Sequence, residues 1–214
     1  MNASASLIDF WFDFASPYGY LMSEKIEAVV AHHGRTIRWR PVLLFAVLRA
    51  LDLPAPLGPA VKRDYVLSDA ERSARHLGVP YALPDGFPAP TQHAARAFYL
   101  IEQSDPVAAV HFAHAVYRGY FQRAADIGDP ALIAAWAAAE APALGDAAAV
   151  LAQLQSAPTK ALLAGAVDAA VQRRVFGSPF VVVDGEAFFG VDRLPQIEAL
   201  LAGALAAAPH SSKA

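Results

Sequence analysis

Cysteine is absent from the chain. Its absence excludes a disulfide framework, a thiolate nucleophile, an iron–sulfur cluster and a cysteine-based zinc site, so any thiol chemistry must bring its sulfur with a ligand. Charge is scarce as well: 17 Lys+Arg stand against 20 Asp+Glu, a formal charge of −3, and charged residues make up only 17%. That balance removes the electrostatic case for nucleic acid or an anionic membrane as a partner. No apolar run approaches the roughly 20 residues of a bilayer span, and MNASASLIDFWFDF has no basic stretch ahead of its apolar residues, so neither a membrane span nor a secretory signal is expected. A soluble cytoplasmic protein is the expectation. The patterns G-x-G-x-x-G, G-x-x-x-x-G-K-[ST] and G-x-S-x-G are also missing, which leaves nucleotide binding and serine-hydrolase chemistry without their signatures. His111 and His114 share a helix face at i, i+3, but no H-E-x-x-H or carboxylate pattern accompanies them, and no metal site is expected.

What the chain does have is apolar residue, 56% of 214 positions, much of it alanine in stretches such as 131–139 and 147–152 that favour closely packed helices. This length can bury a core without covalent staples. Leu7–Phe14 places Ile8, Phe10 and Phe12 on one side and reads as a strand. Ser16-Pro17 then supplies a cap and a first-turn proline for a helix from Tyr18 to His33, with Gly34 as its stop. Thr36–Pro41 alternates again, so the opening is β-α-β with a right-handed crossover. At the other end, Phe180–Val183, the turn Asp184-Gly185 and Ala187–Phe189 form a hairpin, Gly190 breaks it, and Asp192 can cap a last helix through Leu201.

Between these ends the sequence is almost all helix signal: 43–51, 59–77, 91–103, 106–122, 130–139, 146–155 and 158–173, separated by proline and glycine breakers. A split β-α-β … β-β-α unit with a helical block inside it is the thioredoxin-like α/β plan. Residues 1–42 and 175–208 would form that domain, 43–174 the inserted helical subdomain, and 209–214 a disordered tail.

The two halves would meet at Ser16 and at Gly177-Ser178-Pro179. Proline entering a central strand removes a ladder donor, and a cis Ser178–Pro179 bond would explain it while leaving the Ser178 N–H and C=O free for a peptide-like ligand. In thioredoxin-like proteins the first turn carries the reactive thiol, and Ser16 occupies its place. Ser16 is equally a plain helix cap.

The stretches FDFASPYGYL (12–21) and RWRPVLL (38–44), Lys62-Arg63 followed by Tyr65, and VFGSPFVVVDGEAFFGVDRL (175–194) resemble the 2-hydroxychromene-2-carboxylate isomerases, relatives of the kappa-class glutathione transferases in the DsbA-like branch of the thioredoxin fold. The resemblance runs over nearly the whole chain. It implies glutathione as bound cosubstrate, a homodimer, and interconversion of 2-hydroxychromene-2-carboxylate with trans-o-hydroxybenzylidenepyruvate in aromatic-compound degradation. Ser16 would then be catalytic. Ser178 and Pro179 would meet the cysteinyl backbone of glutathione, Asp192 its γ-glutamyl ammonium, Val191 its backbone only, and Lys62 the glycyl carboxylate or the substrate carboxylate. Tyr18 would orient substrate or pack, Asp52 stands near the family's usual Asn, and Arg96 would line the cleft entrance or merely solubilise it. The chain departs from the family at Ala50-Leu51-Asp52-Leu53-Pro54, Pro90-Thr91, Pro179-Phe180 and Val191.

The chemistry suits that implication. A free thiol of pKa about 8.5 is mostly protonated at neutral pH, and a hydroxyl donor with the positive end of a helix stabilises the anion. A kappa-like transferase that conjugates electrophiles and a non-catalytic thioredoxin-like binding or chaperone protein are the alternative readings.

Overall fold

The computed structural model describes residues 7–205; the tail expected over 209–214 lies outside them. Four strands form one sheet in the order β2-β1-β3-β4: β1 (Ile8–Phe12), β2 (Ile37–Pro41), β3 (Phe180–Val183) and β4 (Glu186–Phe189). β1 pairs parallel with β2 and antiparallel with β3, and β3 with β4 is the expected hairpin. Helix α1 (Pro17–His32) makes the crossover; it stops where Gly34 adopts φ +65° and Arg35 N–H returns to Val30 C=O at 3.1 Å.

The inserted helices are α2 (Leu44–Ala50), α3 (Ala60–Leu77), α4 (Gln92–Glu102), α5 (Pro106–Arg123), α6 (Pro130–Glu140), α7 (Ala147–Gln155) and α8 (Ala157–Gln172). Each falls on a stretch with helical periodicity, and Asp105, Asp129, Asp146 and Ser156 cap α5 to α8 with side-chain oxygens. Helix α9 (Leu194–Leu201) closes the fold, but Asp192 does not cap it. A short 3-10 turn over Val191–Arg193 comes first, and the Asp192 carboxylate pairs with the neighbouring Arg193 instead.

Strand β1 is buried along its whole length, which explains its run of apolar residues. Ile8, Phe10 and Phe12 enter the main core, whereas Trp11 joins a smaller cluster with Val42, Val47, Val175 and Phe180. Asp9, on the Trp11 side, is satisfied by Arg38 at 2.7 Å and Arg40 at 3.4 Å from β2. Phe12 is the centre of an aromatic group, with ring centroids 5.4 Å from Trp39, 6.4 Å from Phe98 on α4 and 5.5 Å from Tyr117 on α5. Burying such a ring is worth roughly 1.5–3 kcal/mol, and a paired ring about 0.5–1.5 kcal/mol more. The main core therefore passes from sheet to inserted helices without a break, and it holds the end of β1 rigidly. No described helix is long and apolar enough to cross a membrane.

Candidate active site

Where β1 ends, the chain turns through Asp13–Ser16 into α1. Ser16 has extended backbone (φ −85°, ψ 116°), and its Oγ accepts the Gly19 N–H at 3.0 Å, so it is the helix cap. The same hydroxyl donates to the Ser178 C=O across 2.7 Å. The Ser178–Pro179 bond is cis, and Ser178 Oγ accepts the Asp13 N–H at 2.9 Å. Two hydrogen bonds thus join the N-terminal turn to the proline bend. Glycine at 19 permits that closeness: a Cβ there would lie 2.6 Å from the Tyr117 hydroxyl and 3.0 Å from Ser178 Oγ.

The Ser178 backbone differs in one respect from the sequence expectation, which has both of its polar groups free. Its C=O is taken by Ser16, and only its N–H lacks an acceptor among the described residues. A carbonyl oxygen retains a second lone pair, so the bend still offers both a donor and an acceptor.

Beneath this junction lies Asp13, 6% exposed, which the sequence reading does not single out as a site residue. Its Oδ1 accepts from Ala15 N–H at 3.0 Å and the Thr91 hydroxyl at 2.9 Å, and its Oδ2 accepts from Leu44 N–H at 2.8 Å. One carboxylate therefore ties the Ser16 turn to the first residue of α2 and to the entry of α4. Leu43 and Thr91, the residues preceding those helices, make no side-chain cap of their own. Burial raises the Asp13 carboxyl above its ordinary range, against the opposing pull of the Ala15, Leu44 and Thr91 hydrogen bonds. The Tyr117 hydroxyl donates to the Asp13 C=O at 3.1 Å, and its burial pushes the phenol well up.

Above Asp13 and Ser16 opens a cleft of about 170 Å³. Its walls are mainly apolar: Leu44, Phe45, Val66, Phe87, Phe176 and Phe189 among others. Gly177 lets the Phe189 ring close over the bend, since any Cβ there would overlap that ring. Of the residues expected from sequence, Ser16, Ser178, Tyr18 and Lys62 all line this cleft. Lys62 is its one cation and has no carboxylate partner among the described residues. The Tyr18 ring faces the cleft while its hydroxyl donates to Asp69 Oδ2 on α3 at 2.6 Å. Burial first, and then Asp69, raise the Tyr18 phenol far above its ordinary range, and the same hydrogen bond lowers Asp69. Tyr18 therefore fastens α3, which carries Lys62, to α1.

The remaining candidates lie elsewhere. Pro179 is buried under the bend, and its C=O accepts the Gly190 N–H at 3.1 Å. Val191 is packed in the main core, and Asp192, exposed and paired with Arg193, stands outside the cleft lining. Asp52 is removed from the cleft: it holds φ +55° at the end of α2, where Leu53 N–H returns to Leu48 C=O at 2.8 Å, and it faces a separate recess with Arg49. An acidic or amide side chain tolerates that left-handed backbone, which accounts for a polar residue there. Arg96 sits on α4, half-buried, its Nε without a partner, and it does not line the cleft.

Comparison with known proteins gives a consistent picture. The DsbA-like thioredoxin domain family matches residues 7–202. A 2-hydroxychromene-2-carboxylate isomerase of Sphingobium xenophagum is 31% identical, with 91% of this chain and 97% of that protein covered. A kappa 2 glutathione S-transferase of Caenorhabditis elegans is 28% identical over 92% of both chains. Among solved structures, a 2-hydroxychromene-2-carboxylate isomerase superposes with a TM-score of 0.80 at 26% identity, covering 93% of this chain and 96% of its own.

Proposed function

The chain belongs to the 2-hydroxychromene-2-carboxylate isomerase family of DsbA-like thioredoxin proteins, and from that membership we propose a glutathione-dependent isomerase interconverting 2-hydroxychromene-2-carboxylate-type substrates and trans-o-hydroxybenzylidenepyruvates in aromatic-compound degradation. The same reading carries a cytoplasmic homodimer as the working form. The observation behind it is the meeting of Ser16 and Ser178 at the N-terminus of α1, under an apolar cleft holding one unpaired cation.

The residues present fit glutathione. The Ser178 N–H and C=O suit its cysteinyl backbone, Pro179 shapes that bend, and Lys62 can meet a carboxylate. Asp192 and the Val191 backbone, beyond Phe189, are the elements for its γ-glutamyl end. Bound glutathione supplies a thiolate whose reversible addition to the conjugated alkene of the substrate loosens the double bond and lets it rotate. The chain's own part is electrostatic. The Ser16 hydroxyl proton rests on the Ser178 C=O, and once a ligand amide occupies that carbonyl the proton can turn to a thiolate instead. The Tyr18 N–H, the one left without an acceptor in this first turn, and the dipole of the 16-residue α1 favour the same anion. Phe45, Phe87, Phe176 and Phe189 exclude water and accept a flat ring. Tyr18, its proton committed to Asp69, holds the wall and is no general acid.

Calorimetric titration with glutathione, followed by a screen of aromatic pyruvate alkenes and chromene carboxylates, tests this. Saturable glutathione binding and isomerised product without net glutathione loss are expected; absence of thiol-dependent turnover contradicts it. The 28% identical kappa transferase keeps one second reading in view, conjugation of electrophiles, and mass analysis separates the two, since a retained glutathionyl adduct marks the transferase.

A further inference from the structure

Across Phe45 and Pro88 from the thiol cleft, a recess of about 370 Å³, distinct from the one that Asp52 lines, opens onto the same floor of Asp13 and Ala15. Leu43 and Ala46 wall it on one side and Pro90 and Thr91 on the other, with Arg49 and Gln92 as its polar rim. None of the Phe176–Phe189 segment that carries Ser178 takes part in it. The two recesses are therefore two lobes around the Ser16 turn, one touching the proline bend and one facing away from it.

Charge gives the second lobe its character. Arg38, Arg72 and Arg118 are each paired with a carboxylate. Arg49 has no carboxylate within ion-pair distance among the described residues; Asp52, three positions on in the left-handed turn that ends α2, lines the neighbouring recess with it but forms no ion pair. The one carboxylate lining the lobe is Asp13, and both its oxygens are already taken by Ala15, Leu44 and Thr91. The lobe is thus a short apolar trough with a guanidinium outside any ion pair at one end and the Ser16 turn at the other. Guanidinium binds carboxylate through paired, charge-assisted hydrogen bonds.

We propose that this recess is the carboxylate subsite for the acceptor substrate, with Arg49 as its anchor, Gln92 beside it and the apolar body of the acceptor held between Phe45 and Pro88. This deepens the isomerase reading and rests on it for the identity of the acceptor. Lys62 and Arg49 then divide the work, the first serving the thiol-bearing lobe and the second the acceptor, so that an arylalkenyl 2-oxo acid lies across the floor with its alkene toward Ser16.

The probe is 3-phenylpropanoate, which carries an aryl group and a carboxylate but no alkene to attack. Its binding to wild type and Arg49→Gln is measured by calorimetry, with and without glutathione, beside the neutral 3-phenylpropanol. Arg49 is exposed, so the variant keeps its fold, which thermal unfolding verifies. The expected result is a loss of about tenfold or more in 3-phenylpropanoate affinity in the variant, with 3-phenylpropanol and glutathione affinities unchanged. Equal carboxylate affinity in both proteins, or no binding of the carboxylate to wild type, overturns the subsite. A loss confined to glutathione overturns it too, by assigning Arg49 to the tripeptide. Carboxylate binding lost in the variant from a wild type that never binds glutathione would uphold the subsite and sink the isomerase reading instead.

Discussion

Two polar clusters hold α1, and they are built in opposite ways. At its N-terminus the carboxylate of Asp13, the hydroxyls of Ser16, Ser178 and Thr91, and several backbone N–H groups form a buried set of short side chains with little freedom to move. On its outer face, long side chains bridge to α5: Arg118 grips Glu24 at 2.8 and 2.9 Å, and His114 Nε2 lies 2.7 Å from Glu27. The first cluster positions atoms, because its members cannot reorient without leaving a buried group unsatisfied. The second only fastens two helices, because its outer members Arg118 and Glu27 stay half-exposed and water competes for them. Both contain a carboxylate held by three or more contacts, and burial alone separates their consequences.

The largest effect expected is from Asp13→Ala. It strands the Leu44 and Ala15 N–H groups and the Thr91 hydroxyl, and should cost about 3–5 kcal/mol in urea unfolding. Glu24→Gln, in the outer cluster, keeps an acceptor for Arg118 and should cost less, about 1–2 kcal/mol. Equal losses in the two variants would erase the distinction drawn here.

A smaller effect follows from pH. Burial alone would raise Glu24, but the nearby His114, with its Nδ1 at 3.5 Å, and the hydrogen bonds and charge of Arg118 outweigh it and hold its carboxyl at about 2, against an ordinary value of 4.5. Glu24 therefore stabilises the fold fully above 4.5, and that contribution disappears as pH falls toward 2. Burial pulls His114 down, yet Glu24 and Glu27 bring it above its ordinary 6.5. Its contribution is complete below 6.5 and lost as pH rises through the raised value. The outer cluster is thus worth most between pH 4.5 and 6.5. The stability deficit of His114→Gln, followed by thermal unfolding across pH, should be greatest in that window and shrink on either side; a deficit flat with pH would show that the ion pairs carry none of it.

Much of this architecture is legible in the sequence because it is local. Ser16-Pro17 announces a helix start, Asp184-Gly185 a hairpin and Gly34 a helix stop, each within a few residues of its effect. Pro179 ahead of Phe180–Val183 marks the bend for the same reason. Asp13 was not legible as the hub, since its partners Leu44, Thr91 and Tyr117 come from three distant parts of the chain and only packing assembles them. An acid between Phe12 and Phe14 at a strand end was the one available signal: a carboxylate in such apolar company must find donors. Asp192 misled because a 3-10 turn intervenes before α9, so the residue with the right identity for a cap has the wrong backbone position. Arg49 gave no signal at all, as an arginine in a short helix looks like any solvated one until the recess beside it is seen.

Ser16 is proposed above all to hold a bound thiol as its anion. The ultraviolet absorbance of the thiolate, followed through a pH titration of the glutathione complex, reads this directly in wild type and Ser16→Ala. The expected outcome is a bound thiol well below the free value of about 8.5 in wild type and returned toward it in the variant. An identical titration in the two proteins would contradict it.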